Sequence, residues 1–237
     1  MGGSAVLLSG GLDSAVLAAE LNADPSHAPI QPIYVNVGLA WEEAERAMLA
    51  RLLAAEPLRG RVAPLAVLNV DMRDVYPATH WAVQGRPPEY HTPDEDVYLP
   101  GRNIILLGKA GVFCAGADIV RLVLGTLGHN PFPDATPAFR SKMSDALMLG
   151  LARPLVIDAP YSDISKSEVV RRGGALGVPF ELTLSCMNPL RPKGFGIRES
   201  LPVHCGLCSK CRERHDAFVE AGLADPTEYA DERFVNA

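Results

Sequence analysis

Long hydrophobic runs are missing from this sequence. No uninterrupted apolar stretch approaches the ~18 residues that span a bilayer, and Ala5 to Leu8 has neither the basic flank nor the length of a secretion signal. No membrane association and a cytoplasmic location are therefore expected. Aromatic residues are scarce at 6%, while apolar residues reach 48% and charged residues 21%. That is a globular composition resting on Ala, Leu and Val, and it excludes disorder as the main state. Positive charge is the minority sign: 22 Lys and Arg against 28 Asp and Glu leave −6 over 237 residues. Stable, non-specific binding of nucleic acid is disfavoured by that balance, and a small-molecule ligand is favoured. Absent too are the GxxxxGK[ST] of P-loop kinases and the GxGxxG of dinucleotide binders. Cysteine is sparse, at five, and four of the five fall in the last quarter, which is a metal-site pattern and not a secreted disulfide framework.

What is present alternates. Ala5 to Ser9 reads as a strand, Ser9 to Ser14 as a glycine loop, and Ala15 to Leu21 as a helix of strong formers. Further strands are expected at Ile30 to Val37, Val62 to Val70, Ile119 to Gly125 and Pro154 to Asp158. Helices are expected at Glu42 to Leu53, Asn103 to Ala117 and Thr136 to Leu151. Strands separated by helices predict a doubly wound, mostly parallel five-stranded sheet of the α/β class. Asp71 to Gly101, rich in Pro and polar residues, reads as a long functional excursion over the sheet edge. Ser165 and Glu168 have the spacing of a capping box and predict a helix start, and a last helix is expected around Glu213 to Ala221. The division expected is a main domain over 1–185 and a small metal-binding region over 186–237.

A glycine pair between a strand and a helix lets the backbone turn sharply and aim several N–H groups at one place, where the helix N-terminus adds partial positive charge. Ser9 and Ser14 add hydroxyl donors, while Asp13, an anion, would cap an amide or hold Mg²⁺. The full string Ser9-Gly10-Gly11-Leu12-Asp13-Ser14 resembles the SGGxDS signature of the PP-loop ATP pyrophosphatases. The resemblance implies cleavage of ATP between the α- and β-phosphates and adenylation of a carbonyl or carboxylate oxygen. Such chemistry needs cations over the leaving pyrophosphate, and Lys166 is the candidate.

Cys205, Cys208 and Cys211 stand at i, i+3 and i+6, close enough for a tight knuckle to turn them onto one ion, and Cys186 can supply a fourth thiol. Four thiolates suit a closed, structural Zn²⁺ site; an iron–sulfur cluster is the alternative that spacing leaves open. Lys210, Arg212 and Arg214 are expected to soften the negative charge of that site. Cys114, in an Ala/Val/Gly-rich helix, reads as a small buried hydrophobe.

Taken in order, SGGxDS, Pro100-Gly101-Arg102-Asn103, Lys166 to Glu168, Gly177 to Thr183 leading to Ser185-Cys186, the C-x-x-C-x-x-C knuckle, and the tail Glu220-Ala221-Gly222 with Asp225-Pro226 resemble the 7-cyano-7-deazaguanine synthase family over nearly the whole chain. The resemblance implies conversion of 7-carboxy-7-deazaguanine and ammonia to the nitrile with ATP, in queuosine biosynthesis. It further implies nucleotide binding by Ser9, Gly10, Gly11, Leu12, Asp13, Ser14 and Asn103, catalytic roles for Asp13, Arg102 and Lys166, and zinc on Cys186, Cys205, Cys208 and Cys211. An isologous homodimer is common among enzymes of this kind. No ammonia-producing domain is visible, so free ammonia or a partner supplies the nitrogen.

One region departs from the family. After the fourth strand it usually carries a longer segment of the type ETDxSGYPDCR, whereas this chain has Gly125 to Ala135, shorter and without the Glu/Asp/Ser set. Phe132 and Asp134 still match, as a ring to stack on a flat heterocycle and an acceptor for a guanine-like edge. Lost donors and acceptors in a polar pocket change which substrate it accepts. The alternatives are a relative that adenylates a different carboxylate and a non-catalytic nucleotide-binding protein. His129 is a further candidate in this segment.

Overall fold

The computed structural model describes residues 3–27, 29–128, 130–191 and 201–235. Five strands form one sheet in the order β3-β2-β1-β4-β5: β1 (Gly3–Leu7), β2 (Gln31–Asn36), β3 (Ala66–Asn69), β4 (Ile119–Val123) and β5 (Val156–Asp158). Every pairing is parallel, because a helix or a long crossover returns the chain to the same end of the sheet between strands. The helices are α1 (Leu12–Ala23), α2 (Glu42–Leu53), α3 (Trp81–Gln84), α4 (Arg102–Gly116), α5 (Pro137–Leu151), α6 (Lys166–Ala175) and α7 (Ser209–Ala221). The expected doubly wound α/β sheet is therefore the one observed.

Alternation along the strands builds two cores. Ala5, Ile33, Val35 and Leu122 face one side, where Leu107, Ala110 and Cys114 of α4 cover them. Val6, Leu8, Tyr34 and Val123 face the other, under α1, α6 and α7. Successive strand side chains point to opposite faces, so a sheet buried on both faces needs apolar residues at nearly every position. The α1 helix buries Leu12 and the run Ser14 to Ala19 together with Leu21, as a helix covered on several sides must. Cys114 is buried as expected, and burial pushes its thiol up to about 12.

Three elements differ from expectation. β3 is shorter than Val62 to Val70, since Pro64 lies upstream of it with no N–H to give to a ladder. The last helix begins at Ser209, four residues before Glu213, so the knuckle's Cys211 lies in its first turn. The excursion after β3 holds α3 and a 3₁₀ turn at Asp94–Val97. It buries Tyr76, Ala82, Val97 and Leu99 in the first core. Of the capping box, one half forms: Ser165 Oγ accepts from the Glu168 amide at 3.2 Å, while the Glu168 carboxylate turns to Arg171 and Arg172 instead. No helix among the described residues is long and apolar enough to cross a membrane.

Candidate active site

The strand order reverses between β1 and β4, and in an open α/β sheet such a switch point leaves a crevice at the carboxyl ends of the strands. A cavity of about 310 Å³ opens there. The loop after β1 forms its floor. Gly10 takes φ +83°, a left-handed value that an L side chain strains to adopt, and its carbonyl accepts from the Leu184 amide at 2.8 Å. Gly11, the N-cap of α1, has no side chain to cap the helix, which leaves first-turn N–H groups directed to the cavity end of the helix. Ser9 Oγ accepts from the Gly11 amide at 3.2 Å and lies 3.2 Å from Ser14 Oγ. On the β4 side, a Cβ at Gly125 would come within 3.3 Å of the Asp13 backbone, so glycine is what lets the two strand ends approach.

Ser9, Gly11, Asp13, Ser14, Arg102, Asn103, Phe132 and Asp134 surround this one cavity. Gly10 and Leu12 support it from behind: the Leu12 side chain is buried in the second core. Lys166 also stands behind the wall, 3.0 Å from Asp13 Oδ2 and 2.7 Å from Glu213 Oε1. Burial alone would favour the neutral amine, but the two carboxylates outweigh it and hold Lys166 charged. Burial likewise pushes Glu213 up, yet Lys166 and Lys210 more than offset it and bring it down to about 2. Asp13 is raised by burial, with Lys166 pulling the other way. Its Oδ1 is buried and has no hydrogen-bond partner.

Arg102 and Asn103 open α4. Asp134 takes the Asn103 amide at 3.1 Å and the Asn103 side chain at 3.3 Å. It thereby caps a helix whose own N-cap, Gly101, offers no side chain. Phe132 stacks on Tyr98 with centroids 5.1 Å apart, and Tyr98 itself lines the cavity. His129 lies outside the described residues.

Among the cavity residues that the sequence did not single out as site residues are Tyr34, Glu45, Tyr98 and Lys210. The Tyr34 hydroxyl donates to Glu45 Oε2 at 2.6 Å. Burial pushes Glu45 up to about 7, with Arg102 pulling it back. The i, i+3 spacing of Lys210 and Glu213 was the one local hint of the second pair, since such neighbours share a helix face.

The four cysteine sulfurs of Cys186, Cys205, Cys208 and Cys211 lie within 4.8 Å of one another, all buried, and could hold a metal ion. Amides of Asn188, Cys205 and Leu207 point at the sulfurs of Cys186 and Cys205. Cations near the knuckle take other partners than expected. Lys210 pairs with Glu213, and Arg212 binds the carbonyls of Tyr90 and Thr92 and the Asp94 carboxylate, all at 2.9 Å. Arg214 is 0% exposed; it donates to Thr183 Oγ1 at 2.8 Å, Phe180 O at 2.8 Å and Thr227 Oγ1 at 2.6 Å. It thus ties α7 to the stretch leading to Cys186 and to the tail. His204, made neutral by burial and by Arg214, accepts from the Ser185 amide at 3.1 Å.

The sequence matches the family described as queuosine biosynthesis protein QueC over residues 4–222. It is similar to the 7-cyano-7-deazaguanine synthase of Methanopyrus kandleri, 32% identical over 240 residues that cover 98% of this chain and 100% of that one. The protein of the same name from Anaeromyxobacter dehalogenans is 32% identical over 238 residues, covering 95% of this chain and 94% of the relative. Among solved structures, a 4-thiouridine synthetase–RNA complex with bound ATP overlaps 83% of this chain and 47% of its own, with 19% identity and a TM-score of 0.46.

Proposed function

The chain belongs to the QueC family of queuosine biosynthesis proteins, and from that membership we propose that it makes 7-cyano-7-deazaguanine from 7-carboxy-7-deazaguanine, ammonia and ATP. The carrying observation is the cavity at the β1/β4 switch point, where loop amides and hydroxyls meet a carboxylate with a free buried oxygen. In this reaction the substrate carboxylate attacks the α-phosphorus of ATP, and the bond from that phosphorus to the bridging oxygen breaks to release pyrophosphate. Ammonia then attacks the activated carbon, a proton is lost and AMP departs, which leaves the amide. A second adenylation on the amide oxygen, followed by loss of AMP and of both N–H protons, gives the nitrile.

The chain's own groups divide this work. The Gly11 to Ser14 turn and the Ser9 hydroxyl bind phosphate oxygens as preorganised donors. Asp13 Oδ1, buried without a hydrogen-bond partner, is the oxygen that would hold a hard cation such as Mg²⁺, which would supply positive charge against the leaving pyrophosphate. Lys166 works against the burial that raises the Asp13 carboxyl and holds it in place. Arg102 supplies positive charge at the opposite wall, beside Glu45 and Asp134. Phe132 and Tyr98 offer a flat apolar face to a deazapurine ring.

Zinc suits the knuckle better than a cluster. With Zn–S bonds of about 2.3 Å, the edges of a sulfur tetrahedron measure about 3.8 Å. Cys205 and Cys211 stand 3.9 Å apart and Cys208 and Cys211 3.5 Å. A cubane of four irons would need its thiolates farther apart. A closed four-thiolate site supplies folding energy and no chemistry.

The test is incubation of the metal-loaded protein with ATP, Mg²⁺, an ammonium salt and 7-carboxy-7-deazaguanine, following AMP, pyrophosphate and product mass. The nitrile mass with AMP release is the expected result. Binding of ATP with no turnover of this acid would overturn the substrate and leave the nucleotide site standing.

A further inference from the structure

Lys210 lies between two metal-binding cysteines, in the first turn of α7, and lines the cavity. Its ammonium pairs with one oxygen of Glu213, whose other oxygen takes Lys166. Lys166 takes Asp13. Charges therefore alternate along a chain of four side chains that runs from the phosphate loop to the metal-binding turn: Asp13, Lys166, Glu213, Lys210. The two lysines are not equivalent. Lys166 spends two of its three donors on carboxylates, its side chain is 14% exposed, and it does not line the cavity. Lys210 spends one donor on a carboxylate and is 26% exposed. It stands near enough to Asp13 to lower the pull of burial on that carboxyl. Arg102, the other Lys or Arg among the described lining residues, acts on Glu45 and Asp134.

We infer that Lys210 is a polyphosphate-binding residue of the nucleotide site, delivered by the metal-binding turn and positioned by Glu213. The inference rests on the reading of the phosphate loop as an ATP site. Two ammonium donors of Lys210 remain for phosphate oxygens while the third keeps Glu213. Glu213, shared by both lysines, fixes the spacing between the cation that serves Asp13 and the cation that serves the ligand. The knuckle thereby takes part in ligand binding through a side chain that is not itself a metal ligand.

The experiment is calorimetric titration of pyrophosphate and of ATP with Mg²⁺ into the metal-containing protein. Wild type is compared with Lys210→Met, Lys210→Arg and, as a surface control, Lys142→Met, whose side chain is 85% exposed. Loss of one charge-assisted contact predicts about tenfold weaker pyrophosphate binding in Lys210→Met. A shallower dependence of affinity on salt should accompany it. Arginine should restore most of the affinity, the control should match wild type, and metal content and melting temperature should hold in all four proteins. Equal affinity in wild type and Lys210→Met, with metal intact, would overturn this assignment and spare the ATP site. Wild type that binds neither ligand would overturn both.

Discussion

The Leu184 amide donates to the Gly10 carbonyl at 2.8 Å, two residues before Cys186, the first of the four clustered cysteines. The left-handed glycine of the loop after β1 is therefore held by the same stretch of chain that enters the knuckle. Beyond Leu184, Arg214 grips Thr183 and Ser185 from α7, and Lys166 meets Glu213 from the other side. The loop after β1 and the four-cysteine knuckle share these anchors, so disturbance of one reaches the other.

Replacement of Cys208 by Ser should cost the protein its stoichiometric metal and lower its melting temperature, because metal binding and local folding are one equilibrium. Chelation of the wild type should do the same. Metal analysis beside scanning calorimetry checks both, and an unchanged melting temperature with metal retained would refute the structural role.

Asp13→Ala should slow pyrophosphate release at least about 10²-fold and leave the far-UV spectrum unchanged. Asp13 belongs to neither apolar core, so its loss removes no apolar packing, and Lys166 keeps Glu213 as its partner. Wild-type turnover in this variant would take the loop out of the mechanism.

Glu45 makes stability depend on pH in a definite direction. Its carboxyl moves from about 4.5 unfolded to about 7 folded, so the native state holds a proton that the unfolded chain has released. Its effect is absent below about pH 4.5, and stability then falls as pH rises through the folded value. The loss is at most about 3 kcal/mol. Glu45→Gln, which still accepts from Tyr34, should flatten denaturation midpoints between about pH 5 and 7. Parallel curves for variant and wild type would count against a buried carboxyl.

Arg214→Met should destabilise by roughly 3 kcal/mol or more, since Thr183, Thr227 and the Phe180 carbonyl lose a buried charged donor. Its cation also lies 5.5 Å from the centre of the Phe218 ring. Urea unfolding measures the loss; a change under 1 kcal/mol would show that water replaces the guanidinium.

The sheet and the two main motifs were legible because their signals are local. Apolar runs with helices between them predicted all five strands, and SGGxDS and the cysteine spacing announced themselves within a few residues each. Partnerships across the fold left no such trace. Tyr34 and Glu45 fall inside an expected strand and an expected helix, and only the fold puts hydroxyl against carboxylate. Asp134 read as a free acceptor, and only the approach of α4 gives it the Asn103 amide. Arg214 read as a counterion to the cysteine site because nothing local tells such an arginine from one that ties its helix to two distant segments.

The cavity also has an order in time. Its floor begins at Ser9 and its last contributor is Lys210, roughly 200 residues later. At about 5–20 residues per second, a ribosome makes the phosphate loop about 10–40 s before the lysine that completes its wall. The growing chain can pair β1 with β2 early, but β4 and the knuckle arrive only when synthesis is well advanced. A nascent chain holds the loop without the full cavity, whose wall is complete only once Lys210 has been made.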